Sequence, residues 1–215
     1  MAAVPEKLAS LRHLLAERFP AASRLGGRLL PTGIPAIDHA TGGLPLSAIT
    51  EIVCAAPSCG GQHLLGELLA LTRRVHRRVA LIDSTDSFDA GSFPTDWLAH
   101  LLWVRCTTTA VALQATDLLV RDANLGLVVL DLRRAPASDL RRVPAPQWYR
   151  LQRAAELADL ALVVITPRAS VPSAQVRLLL PVSQIFSTLE RERSTLVAEL
   201  APALQRQRLQ SASVG

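Results

Sequence analysis

The sequence predicts an α/β domain with a mostly parallel central sheet flanked by helices on both faces. Three observations point there. Short apolar runs alternate with stretches of helical period, joined by short loops. The run at 125–132, LGLVVLDL, is apolar without alternation, as suits a central parallel strand covered on both faces. The stretch 49–67, ITEIVCAAPSCGGQHLLGE, reads as a buried strand (50–55), a tight small-residue loop (56–61) and a helix starting near Gln62. With 215 residues, one domain with short appendages is expected. Its divisions are an N-terminal amphipathic helix and linker at 1–28, a core at 29–200 and a flexible basic tail at 201–215.

Leu8, Leu11, Leu15 and Phe19 recur at three- and four-residue steps, giving an association helix whose apolar stripe docks either on its own core or on a neighbouring protein. Gly26-Gly27 marks a linker. Thr32-Gly33 opens a turn, Ile34, Ile37 and Ala40 give a short helical face, and Gly42-Gly43-Leu44-Pro45 turns the chain into the first core strand. The helix at 62–75 ends in Arg73 and Arg74, with Arg77 and Arg78 just beyond, a placement the helix dipole favours without any ligand. A buried strand is expected at 79–83, a short helix within 93–102 and a strand at 102–105. The helix at 107–122 is read with Val111, Leu113, Thr116, Leu118, Leu119 and Val120 facing inward. After the run at 125–132 come another buried strand at 160–166, two candidate edge strands at 176–180 and 194–200, and a frayed tail from 203.

A strand feeding a glycine-bearing loop at a helix N-terminus has the shape of a phosphate cradle, because free N–H groups and the helix dipole converge there. The pattern G-x-x-x-x-G-K-[ST] normally fills such a loop, with Lys on the phosphates and the hydroxyl on Mg²⁺. Here the loop runs Ala55, Ala56, Pro57, Ser58, Cys59, Gly60, with Gly61 in the lysine place and Gln62 in the hydroxyl place. The only lysine is Lys7, and the nearest arginines, Arg73 and Arg74, lie about three turns down the helix at ~1.5 Å per residue. The loop is therefore read as a degenerate nucleotide-binding loop kept as a scaffold turn, with no cofactor and no catalytic residue. ATP and Mg²⁺ enter only if an unorthodox loop is active.

Hydrophobic residues make up 49% of the chain, yet no apolar run reaches the ~18 residues that span a bilayer, and the N-terminus lacks a signal-peptide core. A cytoplasmic protein without membrane contact is expected. Cys54, Cys59 and Cys106 have no metal-ligand spacing and leave an odd thiol, which fits a reducing compartment. Cys59, before a helix N-terminus, is read either as a stabilised thiolate or as a small buried residue. The net charge of +5 comes almost entirely from arginine and permits contact with nucleic acid or an acidic protein surface. The most basic part holds Arg133, Arg134, Arg141, Arg142, Arg150 and Arg153 among prolines, beside Trp148-Tyr149. It is read either as a DNA- or partner-contacting loop in which arginines track phosphates and Trp148 stacks a base, or as a solvated loop with core aromatics.

The entry segment resembles that of RecA-type recombinases, whose pattern S-T-G-x-x-x-L-D-x-x-x-x-GG-[LI]-P-x-G-x-[IV]-x-E-[IL] precedes the P-loop. Thr32, Gly33, Ile37, Asp38, Gly42, Gly43, Leu44, Pro45, Ile49, Glu51 and Ile52 match in register, and Ser47-Ala48 replaces a usual glycine. The resemblance covers about residues 30–185 and implies a RecA-like core. It places Asp131 at the Walker-B position, either as a strand-end hydrogen-bond acceptor or in a residual metal role. Thr85 stands where the family's water-polarising Glu would be, and Thr166-Pro167 where its phosphate-sensing Gln would be. Against this family pattern, 168–174 is much shorter than the second DNA-binding loop, and a separate C-terminal domain is not expected. Among RecA relatives the chain looks most like the short ImuA (SulA-like) group. That likeness implies a non-catalytic binding protein in DNA damage response, supporting translesion synthesis. Its partners would be other repair proteins such as a Y-family polymerase homologue, RecA or a second copy, with weak DNA contact. An ATP-dependent recombinase with an atypical P-loop and a SulA-type cell-division inhibitor are the alternatives.

Overall fold

The computed structural model describes residues 28–207. The expected association helix with Leu8, Leu11, Leu15 and Phe19, and the end of the expected tail, lie outside the described residues.

Leu29–Leu30 (β1) and Leu44–Pro45 (β2) form a small antiparallel pair on either side of the helix Pro35–Thr41 (α1). Asp38 ties this entry together by accepting from the Thr32 and Gly33 amides at 2.8 and 3.1 Å. The main sheet is built from Ala48–Cys54 (β3), Arg78–Asp83 (β4), Leu101–Arg105 (β5), Leu125–Asp131 (β6), Ala161–Thr166 (β7), Val176–Leu180 (β8) and Ala203–Gln207 (β9). Its order is β5-β4-β6-β7-β3-β8-β9, with every pairing parallel except β8 with β9.

Strand periodicity splits the interior into two cores. Leu127 and Val129 of β6, with Val163 and Ile165 of β7, point into one, which the helix Gly61–Arg74 (α2) covers with Leu64, Leu65, Leu68 and Leu69. Val128, Leu130, Leu162 and Val164 point into the other. There the helices Thr109–Leu119 (α4) and Ala145–Ala158 (α6) pack Leu113, Trp148 and Leu151. The short helix Thr95–Leu98 (α3) leads into β5, and Ala137–Arg142 (α5) precedes α6. The predicted α/β class, with a mostly parallel sheet covered on both faces, is thus what the chain adopts.

Several local expectations are corrected. Residues 194–200 do not form an edge strand: Arg193–Ala198 is a helix (α7), whose Val197 is buried against the α2-side core. Residues 203–207, expected in the frayed tail, instead form β9, which pairs with β8 at that side of the sheet. In α4 and its C-cap, Leu113, Thr116 and Val120 face inward as expected, but Val111 and Leu118 are exposed and Ala112 takes an inward position instead. An apolar-rich helix offers several stripes, and the one that packs is fixed by the neighbouring strands rather than by its own composition.

Candidate functional site

The connection from β3 runs to β4 on one side of the sheet, whereas β7 is followed by β8 on the other side of β3. A crevice forms outside the carboxyl ends of such strands, and here it holds a cavity of about 900 Å³. The β3–α2 loop forms its floor, and Arg133, Arg134, Gln184 and Ile185 are among its walls.

Loop geometry explains the residue types. Gly60 caps α2 with φ 91°, and a Cβ there would lie 2.5 Å from Leu200 Cδ2. Gly61 fills the lysine place for a packing reason: a Cβ would meet Cys54 Sγ at 2.8 Å and Arg133 Nη1 at 3.3 Å. At Gly61 the loop is built around the absence of a side chain.

A cation is nevertheless present. Arg133 follows β6 and turns back over its end, so that its Nε donates to both Asp131 carboxylate oxygens at 3.0 Å. Its amide donates to Asp131 Oδ1 at 3.0 Å, and its Nη2 reaches Gln62 Oε1 at 3.1 Å. Asp131 is buried and its charge is matched by this one guanidinium. Burial alone would favour a neutral Arg133, but the bonds from Asp131 outweigh it and hold the group charged. Sequence reasoning sought the cation along α2 and missed a residue far away in the chain. The available signal was its position just past the strand-end acid.

The segment after β8 straps the loop from above. The Gln184 amide donates to Ser58 O at 2.9 Å, Ser183 Oγ to Pro57 O at 2.8 Å, and Arg193 Nη2 to His63 O at 3.0 Å. Gln184 Oε1 accepts from His63 Nε2 at 3.2 Å. Burial, reinforced by the Arg193 charge, holds His63 below its ordinary pKa. Val182, Ile185 and Phe186 of the same segment are exposed.

Cys54 at the end of β3 and Cys59 in the loop also meet. The Cys54 thiol donates to the Cys59 sulfur, which further accepts from backbone amides, so Cys59 is pushed below the ordinary thiol value and Cys54 above it.

The arginines expected on a DNA- or partner-facing surface separate into three groups. Arg133 is bound within the cavity and is not on that surface. Arg150 and Arg153 are exposed but paired with Asp117 at 3.2 Å and Glu156 at 3.0 Å. Arg134, Arg141 and Arg142 are exposed. Trp148 is only 1% exposed, so it cannot stack a base, because α6 turns its indole into the core. Thr85 stays near Asp83, whose Oδ1 accepts from its amide, and the neighbouring Asp86 is drawn outward to Arg105.

Among the described residues no group of three or more His, Cys, Asp or Glu side chains is placed to hold a metal ion. Nor is any described helix long and apolar enough to cross a membrane. Fold and site together define an α/β protein with a mostly parallel sheet and an arginine-filled crevice at its strand ends. The chain matches no protein-family model and no curated protein.

Proposed function

We propose that this chain is a RecA-type binding protein without ATP turnover, working in the DNA damage response as an ImuA-like accessory factor for translesion synthesis. One observation carries the reading. The Arg133–Asp131 pair, anchored on Gln62, sits in front of the β3–α2 loop where lysine, hydroxyl and Mg²⁺ would otherwise meet. Both Asp131 oxygens are engaged, which leaves no bare carboxylate for a metal. Binding falls to the exposed surface, namely Arg134, Arg141 and Arg142 for acidic contacts, and Val182, Ile185 and Phe186 for apolar ones. The partners of this reading are a Y-family polymerase homologue, RecA or a second copy, in the cytoplasm.

The test is ATP binding and phosphate release by the purified chain, with and without Mg²⁺. Neither micromolar affinity nor steady release is expected, and release that disappears in Gly60→Asp would overturn the reading. A second reading, a weak ATPase, is favoured by Arg133 Nη1 reaching the lysine place, 3.3 Å from a Cβ on Gly61. In that case Arg133→Gln abolishes a measurable ATP affinity. Weak single-stranded DNA binding is expected to be steeply salt-dependent. Replacing Arg134, Arg141 and Arg142 by Ala should reduce its log–log salt slope by about two. An unchanged slope in that variant removes the DNA contact.

A further inference from the structure

We propose that Cys54 and Cys59 form a peroxide-oxidisable dithiol, in which Cys59 is the attacking sulfur and Cys54 the resolving one.

The geometry comes first. Cys54 ends β3 and Cys59 lies near the far end of the loop that β3 feeds, so the turn brings two sulfurs from one short segment into hydrogen-bond contact. Both border the cavity, which gives a small oxidant a route to them although each is largely covered by protein. Cys59 is set up as the nucleophile by the Cys54 thiol and by the amides of Gly61 at the start of α2 and of Ala56 and Cys59 in the loop. The adjacent Arg133 guanidinium adds positive charge to the same wall. Cys106 is the internal control: it is buried, and burial together with the Asp83 charge pushes its thiol up.

The oxidant is a hydroperoxide, ROOH. The Cys59 thiolate attacks one peroxide oxygen, an S–O bond forms, the O–O bond breaks and RO⁻ leaves, taking a proton from water. The Cys54 sulfur then attacks the Cys59 sulfenic acid. The S–S bond forms, the S–O bond breaks, and the departing hydroxide combines with the Cys54 proton as water. Two thiols lose two electrons, and the peroxide is reduced to ROH and water. The product ties the end of β3 to the far end of the loop. Nothing in this step depends on whether the cavity takes a nucleotide.

The test treats the full reduced chain with hydrogen peroxide near neutral pH and follows intact mass and peptide maps. The expected product is an intramolecular Cys54–Cys59 disulfide with Cys106 still reduced, formed at least about tenfold faster than any Cys106 oxidation. Cys54→Ser should accumulate a dimedone-trappable sulfenic acid on Cys59. Cys59→Ser should leave Cys54 reduced, and Cys106→Ser should behave as the parent. Alkylation of the unsubstituted protein, with Cys59 labelled first, gives the same ranking without any variant. The proposal is overturned by equal oxidation of Cys106, by disulfides only between chains, or by no thiol loss.

Discussion

Two buried carboxylate–arginine pairs sit a few strands apart in this sheet, and they are built differently. Glu51, in the middle of β3, accepts from Thr166 Oγ1 at 2.9 Å, the Ser170 and Val171 amides at 2.6 and 3.2 Å, and Arg177 Nε at 2.6 Å. Arg177 also donates to Val171 O at 2.9 Å. That pair joins three strands and the 167–175 connection, and the carboxylate is fully covered. Asp131 is served mainly by one residue two positions away, and its arginine looks into a cavity. The first pair is a tether between distant parts of the chain. The second is local chemistry that fills a crevice. A buried charge does not by itself indicate function. What separates the two is the open space in front of one of them.

The sharpest way to break the comparison is to remove both arginines, one at a time. Arg177→Ala leaves a buried carboxylate without its cation and opens the 167–175 connection. The expected cost is about 3–5 kcal/mol, or a melting temperature lower by roughly 10 °C. The double change Glu51→Gln with Arg177→Met should recover much of that loss, since replacing a whole buried pair costs far less than halving it. A single variant that melts with the parent would show that the tether is not holding the connection.

Arg133→Ala comes next. Asp131 keeps its place at the strand end but loses its charged donor, so about 2 kcal/mol is expected, less than for Arg177. Thermal melts of the two variants side by side check the ranking. A larger loss for Arg133→Ala would mean that the crevice pair, not the tether, organises the sheet.

The sheet was readable in advance because parallel strands buried on both faces leave a signal that survives without partners: 125–130 is apolar throughout up to the strand-end Asp131, and every residue of β6 is buried. The strand–loop–helix turn was readable because Gly60 and Gly61 stand at fixed offsets from a strand. What occupies the loop was not. Arg133 reaches Gln62 across 71 residues of sequence, and Leu200 packs on Gly60 from still farther away. Local patterns carry no information about such returns. Trp148 is ambiguous in the sequence for a related reason. An aromatic among arginines reads equally well as a base-stacking platform and as a core anchor, and only the packing of α6 on the sheet decides for the core.

The smallest expected effect concerns the strap on the crevice side. Burial first, and then the Arg193 charge, disfavour a proton on His63, while its hydrogen bond to Gln184 and the Glu67 charge favour one. Its folded pKa lies below the ordinary 6.5, so the unfolded chain takes up a proton first as pH falls. The stabilisation it gives is complete above the unfolded value of 6.5 and is lost as pH drops from there through the lower folded pKa. Burial shifts His100 in the same direction, so both contribute to an acid-side slope. Melting temperature should therefore decline between about pH 7.5 and 5.5, and His63→Gln should remove about half of that decline. Amide exchange at 183–186 should quicken over the same interval in the parent but not in the variant. The amides that Glu51 holds, those of Ser170 and Val171, should stay slow throughout. Equal quickening at both places would mean that acid loosens the whole sheet rather than the crevice side, and the contrast between the two pairs would then have no dynamic counterpart.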